Sequence, residues 1–203
     1  MGQQDLPLTA TGRRQAQALA EWLAAAGLRF HAVFSSDLMR AADTAEALVR
    51  GCGGGPVALR ADLRELGRGD VEGRTPAEAA ELRRLPEVAA TFEPEARVAA
   101  RIARAGAELR AGSLEGPVAA VAHGGTISRL LRFFVGLAPD NTFALANTGL
   151  SVLDFAGGRT VVLAVNALPH LPALAAARLV PGPGPTSGQG ASAAPPAPSV
   201  HRE

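Results

Sequence analysis

The 203 residues include no lysine and no tyrosine, and only one cysteine and one tryptophan. All 20 basic side chains are therefore arginine. With the alanine excess, this suggests a GC-rich coding sequence and says little about function. The single Cys52 lies in the turn "RGCGGGP" and cannot close an internal disulfide, so a reducing, cytoplasmic location is the expectation. No apolar run approaches bilayer-spanning length, and "GQQDLPLTATGRRQ" after Met1 has nothing of a signal peptide, so no membrane partner is expected. The formal net charge of +1 leaves no basic footprint and argues against a nucleic-acid partner. Four histidines, at 31, 123, 170 and 201, are too few and too dispersed for a ligand set, so no metal or other cofactor is expected. The glycines "GCGGG" at 51–55 lack the Gly-Lys-Ser/Thr ending of a nucleotide-phosphate loop.

What is present reads as a globular α/β chain, 47% hydrophobic and 19% charged. Its length suits one core, and a single domain is expected over residues 1–180. "LTATGRRQAQALAEWLAAAGL" repeats Ala16, Leu19, Ala20 and Leu23 at helical spacing, with Gly27 as its end. "HAVFSS" reads as a buried parallel strand. "DLMRAADTAEALVRG" reads as a helix stopped by Gly51, and "PVALRADLREL" as a strand running out into a loop. Thr75, Pro76 and Glu78 form a capping-box signature. "PEARVAARIARAGAELRAG" is a longer helix with Val98, Ile102, Ala105 and Leu109 on one face. "PVAAVAH" lacks alternation and reads as a fully buried strand, followed by the helix "GTISRLLRFFVGL" up to Gly136. "TGLSVLDF" and "TVVLAVN" around "AGGR" read as a hairpin. The alternation predicts three layers, α/β/α, about a mostly parallel central sheet. Residues 181–203 form a Pro/Gly/Ser/Ala tail too poor in apolar surface to order itself.

Ligands of open α/β sheets bind beyond the carboxyl ends of the strands. Three polar features fall there: Arg40 in the first turns of a helix, Glu65 in a loop, and His123 ahead of the helix that opens with Gly124. Taken singly, each has an ordinary structural explanation. Converging, they describe a phosphate pocket: His and Arg offset the oxygens, free helix-end amides around Gly124 face the anion, and a carboxylic acid can protonate a leaving group.

"GQQDLPLTATGRRQAQALAEWL", "AVFSSDLMRAADTAEAL", "LRELGRGDVEG", "VAAVAHGGTISRLL" and "NTGLSVLDF…VNALPHL" occur in the order and spacing of the histidine phosphatase superfamily, the phosphoglycerate-mutase-like phosphatases. Over residues 2–171 the chain resembles that family. The resemblance implies metal-independent hydrolysis of a phosphomonoester, a small phosphorylated substrate or free phosphate in the pocket, and a phosphohistidine intermediate. It implies Arg40 as the pocket arginine, Glu65 as the catalytic proton donor, and His123 as the catalytic histidine that steadies the phosphoryl group. Ser35 and Ser36 are expected to shape the strand end.

The family's nucleophile lies on a first strand ending in Arg-His-Gly, ahead of the segment that matches "GQQDLPLT". Arg-His-Gly occurs nowhere in the 203 residues. His31 stands at the wrong end of its strand, His170 belongs to the closing element, and His201 lies in the tail. The expectation is that Met1 is an internal or misassigned start and that the nucleophile is encoded upstream, the 203 residues alone being inactive. The alternative is an inactive phosphate-binding pseudophosphatase or a truncated remnant. Val71 stands where the family commonly has an aromatic, and is expected to loosen the wall beside Glu65. The stretch from Glu65 to His123 is short, which favours a phosphatase over a mutase.

Overall fold

A computed structural model describes residues 2–171. The expected tail over 181–203 and the expected domain boundary at 180 lie outside the described residues.

Helix α1 (Ala10–Ala25) starts where the Thr9 hydroxyl accepts a hydrogen bond from the Gly12 amide, satisfying one otherwise unpaired helix-end donor. Its four expected core positions, Ala16, Leu19, Ala20 and Leu23, are all buried. Strand β1 (Ala32–Ser35) leads to helix α2 (Met39–Cys52), whose Ala47, Leu48 and Cys52 pack with the α1 stripe. Gly51 does not stop α2. The helix runs through it to Cys52 and is capped at Gly53, whose φ of 74° favours glycine. Gly51 is instead a point of close approach: a Cβ there would sit 3.1 Å from the Ala20 carbonyl oxygen of α1.

A two-residue β2 (Ala58–Leu59) gives way to a 3-10 turn at Ala61–Leu63 and a second at Gly69–Val71. Helix α3 (Pro76–Leu82) carries the expected Thr75–Glu78 capping box, and the single turn α4 (Pro86–Ala89) follows. Val71 is buried with Ala79 of α3 and Val88 of α4 in a small apolar cluster of its own. An aliphatic side chain suffices there because those two helices close over it. Helix α5 (Glu95–Gly112) buries Val98, Ile102, Ala105 and Leu109 as its periodicity predicts. Then come β3 (Val118–Val121), α6 (Gly124–Val135), β4 (Leu150–Asp154) and β5 (Val161–Ala167). None of the described helices is long and apolar enough to cross a membrane.

The sheet order is β2-β1-β3, all parallel, with Phe34 of β1 level with Ala58 on one side and Ala120 on the other. The α1–α2 pair packs with Ala119 and Val121 of β3, while α5 and α6 pack with Ala32, Phe34 and Val118. Helices thus cover both faces, giving the expected three layers. The β4–β5 hairpin also forms as expected, antiparallel, but as a separate two-stranded sheet.

A further expectation fails. β3 is not fully buried: Val118, Ala119 and Val121 are half-buried and Ala120 is exposed. Among the described residues β3 pairs only with β1, and β4 only with β5. Leu150 of β4 nevertheless packs on the same α1–α2 cluster as Ala119 and Val121. Two strands therefore share one helical cover without sharing a ladder, and a strand unpaired along one edge cannot be enclosed there.

Candidate active site

The three parallel strands end on the same side, and the loops leaving them carry the chemistry. His123 follows β3 directly and occupies the N-cap of α6, held extended at φ −122°. Its ring is buried, 8% exposed, and Nε2 shares a 2.9 Å hydrogen bond with the Ser36 hydroxyl at the end of β1. Ser36 is wholly buried and its oxygen also accepts the Leu38 amide, so it fixes the imidazole rather than presenting a reactive hydroxyl. Burial pushes the His123 pKa down from 6.5 to about 4; the Arg40 charge adds to this and the Glu65 charge opposes it. At neutral pH the ring is therefore neutral, with one donor and one acceptor nitrogen.

Glu65 lies in the loop between the two 3-10 turns, and its carboxylate reaches the same helix end. Oε2 accepts the Gly125 amide at 3.2 Å, and Oε1 accepts the Leu66 amide at 2.8 Å. This contact requires a bare backbone at Gly125, where a Cβ would come within 2.5 Å of Oε1 and 2.9 Å of Leu66 Cδ1. Gly124 is exposed, with open space where its Cβ would be. The positive end of the α6 dipole thus faces both a carboxylate and an open approach.

Arg40 is half-buried in the first turn of α2 and donates to the Gln4 carbonyl at 2.7 Å and the Gly2 carbonyl at 2.9 Å. The N-terminal segment is tied to the site at further points. Asp5 accepts the Met39 amide and so caps α2, which has no side-chain cap of its own. The Gln3 amide donates to Glu72, and the Gln3 side chain donates to the Glu65 carbonyl.

Arg40, Glu65 and His123 are thus brought together, the latter two on one helix end and the first within charge range of the ring. His31 sits at the opposite end of β1, paired with Glu115 at 3.1 Å, as its position predicts. His170 bonds Thr148 through Nε2 at 3.0 Å, and His201 lies outside the described residues. Among the described residues no group of three or more His, Cys, Asp or Glu could hold a metal ion.

Sequence reading missed several supporting residues. Ser36 is one. Arg64 is another: its guanidinium pairs bidentately with Asp37, which holds the Asp37 carboxyl below the usual carboxylate range, and its carbonyl accepts the Thr126 hydroxyl at 2.6 Å. Arg101 and Glu93 form an ion pair almost fully enclosed beneath the Glu65 loop. Nothing in their local pattern marks them. The one available signal was Arg101 interrupting the apolar face of α5 between Val98 and Ile102.

The histidine phosphatase superfamily (branch 1) model matches residues 1–168. The chain is 36% identical over 174 residues to glucosyl-3-phosphoglycerate phosphatase of Mycolicibacterium vanbaalenii, covering 73% of this chain and 72% of that one. It is 41% identical over 91 residues to phosphoglycerate mutase-like protein 4 of Arabidopsis thaliana, a match spanning 45% of this chain and only 38% of the plant protein. Among solved structures, a mycobacterial glucosyl-3-phosphoglycerate phosphatase in complex with inorganic phosphate superposes with a TM-score of 0.70 at 30% identity, covering 84% of this chain and 92% of that one. A match over most of the length, joined to a common fold, makes this chain a member of the histidine phosphatase superfamily.

Proposed function

We propose that these residues form the acid and anion-binding part of a metal-independent phosphomonoesterase, whose nucleophilic histidine lies on a strand preceding residue 1. The substrate is a small phosphorylated molecule, and the setting is the cytoplasm. A nitrogen of that histidine attacks phosphorus as the bond to the ester oxygen breaks. Glu65, as the carboxylic acid, passes its proton to that oxygen, so the alcohol leaves neutral. Water then attacks the phosphohistidine, the Glu65 carboxylate takes its proton, and phosphate departs with the nucleophile restored. Arg40 and the helix-end amides at Gly124 offset charge on the transferring oxygens, and the neutral His123 ring donates a hydrogen bond to one of them.

One observation carries this reading. The Glu65 carboxylate and the His123 ring meet at the N-terminus of a single helix, with the Arg40 charge near enough to depress the ring's ionisation. The proposal of an incoming strand is supported by the pairing pattern, in which β3 pairs only with β1 and β4 only with β5 among the described residues. The test is hydrolysis of phosphomonoesters in excess chelator by the chain extended through its upstream coding sequence. Turnover should persist, and His123→Ala or Arg40→Ala should lower it by about 100-fold or more. Near-normal rates in those variants, or a strict metal requirement, would refute the assigned roles.

The second reading is a phosphate-binding protein without turnover. It is favoured by the lack of Arg-His-Gly in the 203 residues and by the backbone carbonyls that already engage Arg40. Under that reading phosphate raises the thermal stability of the chain in a concentration-dependent way, and no extension yields turnover.

A further inference from the structure

Arg101 is a charged side chain in the interior, 5% exposed, on the core-facing side of α5. A guanidinium there must satisfy five N–H groups or pay heavily for burial. All five are used. Nε donates to Glu93 Oε1 at 2.8 Å and one Nη2 hydrogen to Glu93 Oε2 at 3.0 Å. Nη1 donates to the carbonyls of Asp62 at 2.8 Å and Arg64 at 2.9 Å, and Nη2 reaches the Glu65 carbonyl at 3.4 Å. Glu93 extends the grip: its Oε2 accepts the Gly67 amide at 3.1 Å while its own amide donates to the Gly67 carbonyl at 3.0 Å. Burial tends to raise the Glu93 pKa, but the Arg101 and Gly67 hydrogen bonds carry it below the usual carboxylate range.

We infer that the Arg101–Glu93 pair is the positioning device for Glu65, an internal clamp that gathers the backbone of residues 62–67 and so sets where the Glu65 carboxylate meets α6. This rests on the reading of Glu65 as the proton donor. The clamp acts from below the loop and touches no substrate, so Arg101 is a positioning residue and not a catalytic one. Its planar fork matters as much as its charge. A lysine would keep the charge but cannot span one carboxylate and three carbonyls in fixed directions.

The test uses Arg101→Lys and the milder Glu93→Gln in the full chain. Its first readout is the Gly125 amide in proton–nitrogen correlation spectra, because that amide donates to Glu65. In folded variants its shift should move most of the way to the value seen in Glu65→Ala, while α1 amides stay in place. A Gly125 amide that keeps its wild-type position in both folded variants overturns the inference. The second readout uses the active, extended protein. A misplaced proton donor should slow esters with poor alkyl leaving groups about tenfold more than aryl esters, which leave without protonation. Equal slowing of both classes, with the amide displaced, keeps the clamp and overturns the reading of Glu65 as the donor.

Discussion

The Glu65 loop and the facing edges of β3 and β4 are completed to very different degrees. In the loop, carbonyls 62, 64 and 65, the amides of 66 and 67 and the carboxylate itself all have partners, drawn from α5, α6, the loop itself, Glu93 just ahead of α5 and Gln3 of the N-terminal segment. At β3 and β4, two apolar strands under one helical cover each stop at a single ladder among the described residues. Irregular backbone is usually where satisfaction is hardest and sheets where it is easiest. Here the order is reversed. The Glu65 side of the site is thus held by bonds from four separate segments, whereas β3 and β4 each show one ladder among the described residues, the pattern on which the proposal of a further strand rests.

The largest effect should come from supplying that strand. Extending the chain through its upstream coding sequence should raise phosphatase turnover from background by at least about 100-fold, an increment of the size associated with a catalytic group. It should also raise the midpoint of thermal unfolding. No gain in either quantity would remove the basis for treating the two edges as one incomplete sheet.

On the completed side, Gly125→Ala should displace Glu65, because the new Cβ would lie 2.5 Å from Oε1. The colliding atoms belong to side chains that can move aside. The cost in stability should therefore stay below about 1 kcal/mol, under that of core overpacking and readable by chemical denaturation. The same substitution at Gly124, where there is open space, should be close to neutral. Equal costs at the two glycines would show that helix propensity, and not the Glu65 contact, governs this turn.

The His123 ring gives a pH signature of its own. Its pKa is depressed from 6.5 to about 4, so between those values the unfolded chain binds a proton that the folded chain does not. Stability therefore falls on acidification through that window, by up to about 1.4 kcal/mol per pH unit. His170, lowered by burial, adds the same sign, whereas the depressed carboxyls of Asp37 and Glu93 act below the ordinary carboxylate range. Denaturation midpoints measured from pH 7 to pH 4.5 should fall less steeply in His123→Asn. An unchanged slope would mean that the ring is not buried neutral.

The smallest effect is expected at the open edge. Ala120 is exposed in the middle of β3, so Ala120→Arg should change the stability of the 203-residue chain by less than about 0.5 kcal/mol. The same change should be far more damaging in the extended, active protein. Strong destabilisation of the short chain would mean that β3 is already covered.

The helices were legible because their apolar positions recur at helical spacing and their ends carry local chemistry, as at Thr9 and the Thr75–Glu78 box. His123 and Glu65 were legible because each follows a strand in a chemically pointed context. The clamp was not: Arg101 meets the carbonyls of 62, 64 and 65 from more than 30 residues away, a relation that no window of sequence contains. The bond from Ser36 to His123 escaped for the same reason, its partner lying 87 residues on. Edge status escaped because "VAAV" reads alike with one neighbour or two. At "RGCGGG", several glycines could end a helix, and only packing against α1 shows that Gly51 does not.

The most direct test is to quench the 203-residue chain and its upstream-extended form in alkali after mixing each with a phosphomonoester labelled in its phosphoryl group. The account predicts an acid-labile, alkali-stable phosphoryl group on a histidine of the added strand in the extended form, and none on the shorter chain. Label on His123 of the 203-residue chain, with turnover to match the extended form, would contradict it.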